Sequence, residues 1–476
     1  MTRVLLIGLD GFGHDFSSRA FAAGLMPFLA DRARAGIFGP ALSTTPPVST
    51  AAWTTVTTGV GIGKHGVVDF RRREMADYAF VRPGRLVSSA DVRWPRVYDL
   101  AGEAGARCFV LNVPVTFPAR PVNGVIVTGV LTPPGSDRGC WPPSFRKFLT
   151  DYAYDLDEPI PADLPALCRR LGELAASRAR VAAAALGRER FDLAVVVFTG
   201  PDRLFHRFYA EAYAPETRAD VPPAAASYFG TLDAACEKVY EAFGADGALV
   251  VCSDHGFGPG PRRAFFVNRF LRKAGLLSVG ADLGPYALNV VLAGLKKLLG
   301  RARPLPVRWR RTVAYGFPLY MRWGGIVVNA AGEQPQGVVA PEELPEVTEK
   351  VGGLLTSAAG DEADGPRWVK KREDLYRGPA TADLPHLVFE APQSVVVSEG
   401  KGPGPLFSPY ANAAKKGEHA TEAMLFAAGA GIGAGKTLEA TLEDVAPTVA
   451  SLLGLDHGGM DGKPITSTAE RPRFLP

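Results

Sequence analysis

Three short, unbroken apolar runs, each followed closely by an aspartate, constrain this chain more than any other feature. They are VLLIGL before Asp10, LAVVVFT before Asp202 and ALVVC before Asp254. A strand that is apolar throughout, not at alternate positions, is buried on both faces, as in a parallel sheet covered by helices. CFVLNVP at 108–114 repeats the pattern, and 386–390 and 424–428 are further candidates. Between the runs, 223–243 carries Tyr228, Leu232, Ala235, Val239 and Phe243 at helical spacing, and 443–454 carries Val445, Val449 and Leu453. Such alternation of strands and helices implies an α/β layered domain.

At 476 residues the chain exceeds what one core usually organises, so a large domain with inserted smaller parts is expected. The segments that interrupt the alternation are 133–163, rich in Pro, Asp and aromatic residues, and 261–380, with the basic stretch KKLLGRARPLPVRWRR and the pair Gly324 and Gly325. Both read as cap insertions in a single catalytic domain spanning 1–476, and no internal repeat of fixed period is found. The net charge of +4, from 53 basic and 49 acidic residues, is too small to indicate nucleic-acid binding. Five widely spaced cysteines without a CxxC pair indicate reduced thiols, neither a disulfide framework nor a zinc knuckle. No run reaches the length of a membrane span, and no small-residue cleavage site follows the first apolar run. The expected location is the cytoplasm.

Open α/β sheets bind ligands beyond the carboxyl ends of their strands, which is where Asp10, Asp202 and Asp254 stand. One such Asp is ordinarily a helix cap; three, two of them accompanied by histidine, point to a cation site. Asp202 and His206 are four residues apart and share a helical face. Asp254 and His255 are adjacent, so both reach one cation only where the strand has ended, as the following Gly256 permits. His419, before the apolar run at 424–428, is expected on a loop from which a further ligand can enter. His386 reads as a core residue and His457 as a surface turn, while His14 and His65 flank the site in sequence and could support it, although loop histidines usually have no such role. Oxygen and imidazole without thiolate suit zinc or manganese.

A nucleophile is available in TTPPVSTAAWTTVTTG. Pro46 and Pro47 hold the chain extended up to Val48, after which a helix can begin, leaving the hydroxyl of Ser49 or Thr50 at its N-terminus. Unpaired N–H groups and the helix dipole favour a phosphoryl oxyanion there, although the same hydroxyl could serve as a cap. GVGIGKH does not form a P-loop, since Thr58 replaces the first glycine and His65 the final Ser or Thr.

The segments GLDG, PPVSTAAWTTVTTG with KHGVVDF, TGPDRLFHRF, SDHGFG, GGIVVNAAGEQPQGVV and GEHATEAMLFAAGAGI occur in this order over nearly the whole chain. In this the sequence resembles the type I phosphodiesterase and nucleotide pyrophosphatase branch of the alkaline phosphatase superfamily, nearest to its bacterial phosphohydrolase or phosphomutase group. The resemblance implies a three-layer α/β/α sandwich with a mostly parallel sheet and cap insertions. It also implies two divalent metal ions, zinc or else manganese. One is held by Asp202, His206 and His419, the other by Asp10, Asp254 and His255 with the nucleophile Ser49. The implied activity is hydrolysis of a small-molecule phosphate ester, diester or monoester, through a phosphoseryl intermediate. Alternatives are a phosphomutase or phosphotransferase using the same site, or a non-catalytic metal-bearing scaffold binding an anionic partner through the basic stretch. Phe70 stands where the nucleotide pyrophosphatases carry a phosphate-binding Asn, so their substrate preference does not transfer. Arg71, Arg72 and Arg73, next in sequence, read as an exposed basic turn.

Overall fold

The computed structural model describes residues 2–72, 74–81, 84–150, 152–155, 160–213, 220–280, 306–360, 364–410, 415–433 and 439–465. Most of the basic stretch, and Arg73, fall outside these residues.

Nine strands form the central sheet, in the order Ala440–Thr441, Ile37–Leu42, Glu422–Gly429, Ala248–Cys252, Val4–Leu9, Leu193–Phe198, Cys108–Val113, Gly124–Thr128 and Cys140–Trp141. The inner strands are parallel, whereas Glu422–Gly429 runs antiparallel to both of its neighbours and Cys140–Trp141 antiparallel to Gly124–Thr128. Successive side chains of Val4–Leu9 enter opposite cores. Leu5, Ile7 and Leu9 join the core built with helices Leu164–Leu186 and Pro223–Phe243, while Val4 and Leu6 join the one built with Ser49–Thr58, Val97–Glu103 and Val445–Leu452. Helices on both faces make the domain a three-layer α/β/α sandwich, as the continuous apolar runs require.

The run at 386–390 is a strand, Leu387–Glu390, but it belongs to a separate, fully antiparallel sheet with Ala314–Tyr320, Trp323–Val328 and Trp368–Lys371. Continuous apolarity reports burial on both faces and says nothing of strand direction, so this run and 424–428 gave no sign of their antiparallel pairing. A three-stranded sheet of Val395–Ser398, Arg263–Phe266 and Phe407–Pro409 shares the apolar core of the antiparallel sheet. Segment 133–163 contributes Cys140–Trp141 to the edge of the central sheet. The five cysteines are unpaired and buried. No helix among the described residues is long and apolar enough to cross a membrane.

Candidate metal centre and nucleophile

Three neighbouring parallel strands, Ala248–Cys252, Val4–Leu9 and Leu193–Phe198, end side by side, and their continuations carry the three aspartates. Asp10 directly follows the middle strand, and its N–H donates to the Phe198 carbonyl at 3.0 Å. Asp202 lies in the first turn of helix Gly200–Phe208, with His206 one turn on. Asp254 and His255 occupy the connection between Ala248–Cys252 and Gly256–Pro259, off the regular strand, so adjacent residues can face one point. His419 is in a strand, not the loop expected: Gly417–Ala420 pairs antiparallel with Gly256–Pro259, opposing His419 to Phe257. The ribbon forms because both segments lie beside the central sheet, a long-range pairing with no local signal in GEHAT.

The atoms converge in two groups, Asp202 with His206 and His419, and Asp10 with Asp254 and His255. In the first, His419 Nε2 is 3.1 Å from both Asp202 Oδ1 and His206 Nε2. In the second, His255 Nε2 is 3.3 Å from Asp254 Oδ2 and 3.6 Å from Asp10 Oδ1. His255 Nε2 is also 4.0 Å from Asp202 Oδ1, so the groups adjoin.

Every ligand-type side chain is tethered on one atom and open on another. The imidazole Nδ1 atoms of His206, His255 and His419 lie 3.0, 3.1 and 2.8 Å from the carbonyls of Gly417, Gly256 and Pro47. A carbonyl can only accept, so each Nδ1 carries the proton and each Nε2 turns a lone pair inward. The carboxylates follow the same rule. Trp53 Nε1–H donates to Asp10 Oδ2 at 3.0 Å, the Gly11 N–H donates to Asp254 Oδ1 at 3.0 Å, and Arg203 Nη1 is 3.3 Å from Asp202 Oδ2. That leaves Asp10 Oδ1, Asp254 Oδ2 and Asp202 Oδ1 facing the imidazole nitrogens. Asp254 Oδ2 is buried and has no hydrogen-bond partner. Outward tethering that directs lone pairs to a common point is the arrangement metal-ligating residues adopt, and a divalent cation satisfies the orphaned oxygen and relieves the facing lone pairs. The residues present therefore fit two divalent ions.

Electrostatics agree. Burial, then the charges of Asp254 and Asp202, raise Asp10 well above the ordinary carboxylate range. Burial pushes Asp254 up to about 8, with Asp202 adding to the rise. Burial lowers both His255 and His419, keeping their rings neutral. Crowded buried carboxylates beside neutral imidazoles form a site that binds positive charge.

Ser49 is the first residue of helix Ser49–Thr58, whose N-cap is Val48. Its Oγ lies 3.3 Å from His255 Nε2 and 3.5 Å from Asp10 Oδ1, so the hydroxyl joins the second group. Thr50 Oγ1 is buried without a hydrogen-bond partner. The other histidines lie apart. His65 is buried, with Thr55 Oγ1 2.9 Å from its Nε2, and His386 Nδ1 accepts the Val328 N–H at 3.2 Å. His14 sits beside Ser18 and Phe38. Arg71 and Arg72 are bound to the Gly84 carbonyl and to Asp91.

Trp53, Arg203, Tyr320 and Glu418 also belong to the site, yet the sequence reading passed over them. Trp53 stands one helical turn after Ser49 and Arg203 next to Asp202, so spacing could have flagged both. Tyr320, whose phenol is raised by burial and by Glu418, arrives from the second sheet without local signal.

The family model for type I phosphodiesterase/nucleotide pyrophosphatase matches residues 4–421. No curated protein matches the chain. Among solved structures, phosphonoacetate hydrolase from Sinorhizobium meliloti 1021, in complex with phosphonoacetate, is similar at 14% identity over 95% of this chain and 96% of its own, with a TM-score of 0.59. Murine ectonucleotide pyrophosphatase/phosphodiesterase 5, an inactive variant in complex with AMP, is similar at 13% identity over 97% of this chain and 98% of its own, with a TM-score of 0.56. At such identities these likenesses establish the fold, which is alkaline phosphatase-like, while the family match rests on the sequence itself. The family is metal-dependent. The chain belongs to the type I phosphodiesterase/nucleotide pyrophosphatase family of the alkaline phosphatase superfamily and is a phosphoric ester hydrolase of that type.

Proposed function

We propose that this enzyme cleaves a small-molecule phosphate ester by attack of Ser49 Oγ on phosphorus. Asp202, His206 and His419 hold one divalent cation, and Asp10, Asp254, His255 and Ser49 Oγ hold a second, both zinc on the strength of three imidazole donors, with manganese the other ion that the donor set suits. The observation that carries this reading is the pattern of tethers, which turns six lone-pair atoms and one hydroxyl toward a common space. When bound, the cations supply Lewis-acid charge that lowers the pKa of a nearby hydroxyl and balances charge on phosphoryl oxygens.

The protein's own contribution is positional. Helix Ser49–Thr58 begins at the nucleophile, so its free N–H groups face the incoming oxyanion. Ser49 Oγ forms the new P–O bond as the ester oxygen leaves on the opposite side, giving a phosphoseryl enzyme that water hydrolyses to free serine and either phosphate, from a monoester, or a phosphate monoester, from a diester. Reading segments 133–163 and 261–380 as caps is supported by their described parts, since Asp155 pairs with Arg203 and Tyr320 meets His419. The similar structures in complex with phosphonoacetate and with AMP suggest the panel to test: a phosphate monoester, a phosphodiester and a phosphonate. The unpaired, buried thiols support a cytoplasmic location.

Ser49→Ala should reduce turnover of the best panel substrate by at least about a thousandfold, as loss of a covalent nucleophile does, while both metal ions stay bound by elemental analysis. Activity near the wild-type level in that variant contradicts the assignment.

A further inference from the structure

The metal-facing nitrogen of His419 has one neighbour that belongs to neither group of ligands. Tyr320, last residue of the strand Ala314–Tyr320, places its hydroxyl 3.2 Å from His419 Nε2 and 3.1 Å from Glu418 Oε1. Because His419 Nδ1 is committed to the Pro47 carbonyl, Nε2 is the ring's acceptor, and the phenol meets it from the side that a cation would use. The strand is bent to achieve this. Its pairing with Trp323–Val328 shifts register between Pro318 and Tyr320, and Met321, next in the chain, has a φ of +43°. A register shift of this kind re-aims a side chain, and a left-handed non-glycine residue is retained only where the surroundings enforce it.

The surroundings do so here. Arg322 is paired with Glu390 at 2.8 Å, Trp368 Nε1–H donates to Glu390 Oε2 at 2.6 Å, and the Met321 carbonyl accepts the Val397 N–H at 2.7 Å. Glu418 does not depend on the phenol for its own satisfaction. Its Oε1 also accepts the His419 N–H at 3.1 Å, and Lys415 Nζ is 3.4 Å from its Oε2. The phenol has a single proton, which here is donated to Glu418 Oε1; because Glu418 keeps the His419 N–H and Lys415, that proton can turn to an oxygen bound at the edge of the cage, where a cation would hold the Nε2 lone pair.

We propose that Tyr320 is a substrate-contacting residue whose hydroxyl donates a hydrogen bond to a phosphoryl oxygen of the ester bound at the centre. The proposal rests on the phosphohydrolase reading above and makes the second sheet a contributor to the active site as well as a cover.

Tyr320→Phe tests it, since the ring and its packing remain and only the hydroxyl goes. Zinc-loaded wild-type and variant proteins are compared for bound zinc by elemental analysis and for inorganic phosphate affinity by calorimetry, a measurement that needs no turnover. The expected result is unchanged zinc content with phosphate bound about 10- to 100-fold more weakly, the range for one hydrogen bond to a charged group. Phosphate affinity within about twofold of wild type overturns the proposal, as does loss of zinc from the variant, which would make Tyr320 a support for His419 alone. A wild-type centre that binds no phosphate overturns it as well. Failure of the hydrolase reading registers elsewhere, in the turnover of Ser49→Ala.

Discussion

At the scale of single residues, the centre is made of groups held at one atom and open at another, and His65 shows what a histidine looks like when both nitrogens are closed. Thr55 Oγ1 lies 2.9 Å from its Nε2, and its Nδ1 accepts the Val67 N–H at 3.1 Å. Burial, with Arg96 nearby, lowers its pKa to about 3. In the unfolded chain the same ring titrates near 6.5, so between those values the unfolded state binds the extra proton and stability falls as pH falls. Between pH 7 and pH 5 this costs about 2 kcal/mol. Urea unfolding at the two pH values should show such a loss in wild type and a shallower one in His65→Gln; equal slopes would remove His65 as the cause.

At the scale of elements, the approach of helix Ser49–Thr58 to the first strand decides where Ser49 stands. Gly8 makes this possible, since a Cβ there would overlap the Trp53 ring, whose indole N–H holds Asp10. Gly8→Ala should therefore destabilise the fold by about 1–3 kcal/mol, the usual cost of overpacking, and weaken metal binding by displacing the Asp10 tether. Because the clash involves the outer atoms of the indole, Trp53→Phe in the same chain should recover part of the lost stability without recovering metal affinity. A double-mutant cycle by urea titration reads the coupling, and simple additivity would show that helix and strand do not meet as described. The helix and the strand were each legible beforehand, one from its prolines and hydroxyls, the other from its apolar run. Their contact was not, because nothing in either segment encodes the distance between them.

At the scale of the molecule, three strands far apart in sequence lie side by side in the middle of the sheet, which gathers Asp10, Asp202 and Asp254 beyond their carboxyl ends. Gathering buried carboxylates without a cation is unfavourable, and the raised Asp10 and Asp254 record that strain. The whole domain should accordingly be linked to its metal. A cation that binds only the folded state at a hundredfold over its dissociation constant adds about 2.7 kcal/mol of stability. Chelation followed by dialysis should lower the melting temperature by several degrees, and added zinc should restore it in wild type and in Ser49→Ala alike. A melting temperature indifferent to both treatments would argue that the two groups hold no ion.

What the amino-acid sequence determined by itself was local in origin: buried strands from unbroken apolar runs, helices from their spacing, the residue types of the candidate ligands, and the place of Ser49 behind two prolines. Strand direction at 386–390, the strand that carries His419, the tether that Trp53 makes to Asp10, and the arrival of Tyr320 were decided only by tertiary structure. Each depends on contacts between residues from distant parts of the chain, and such contacts leave no periodicity or spacing in any one segment because the energy that fixes them is shared between two.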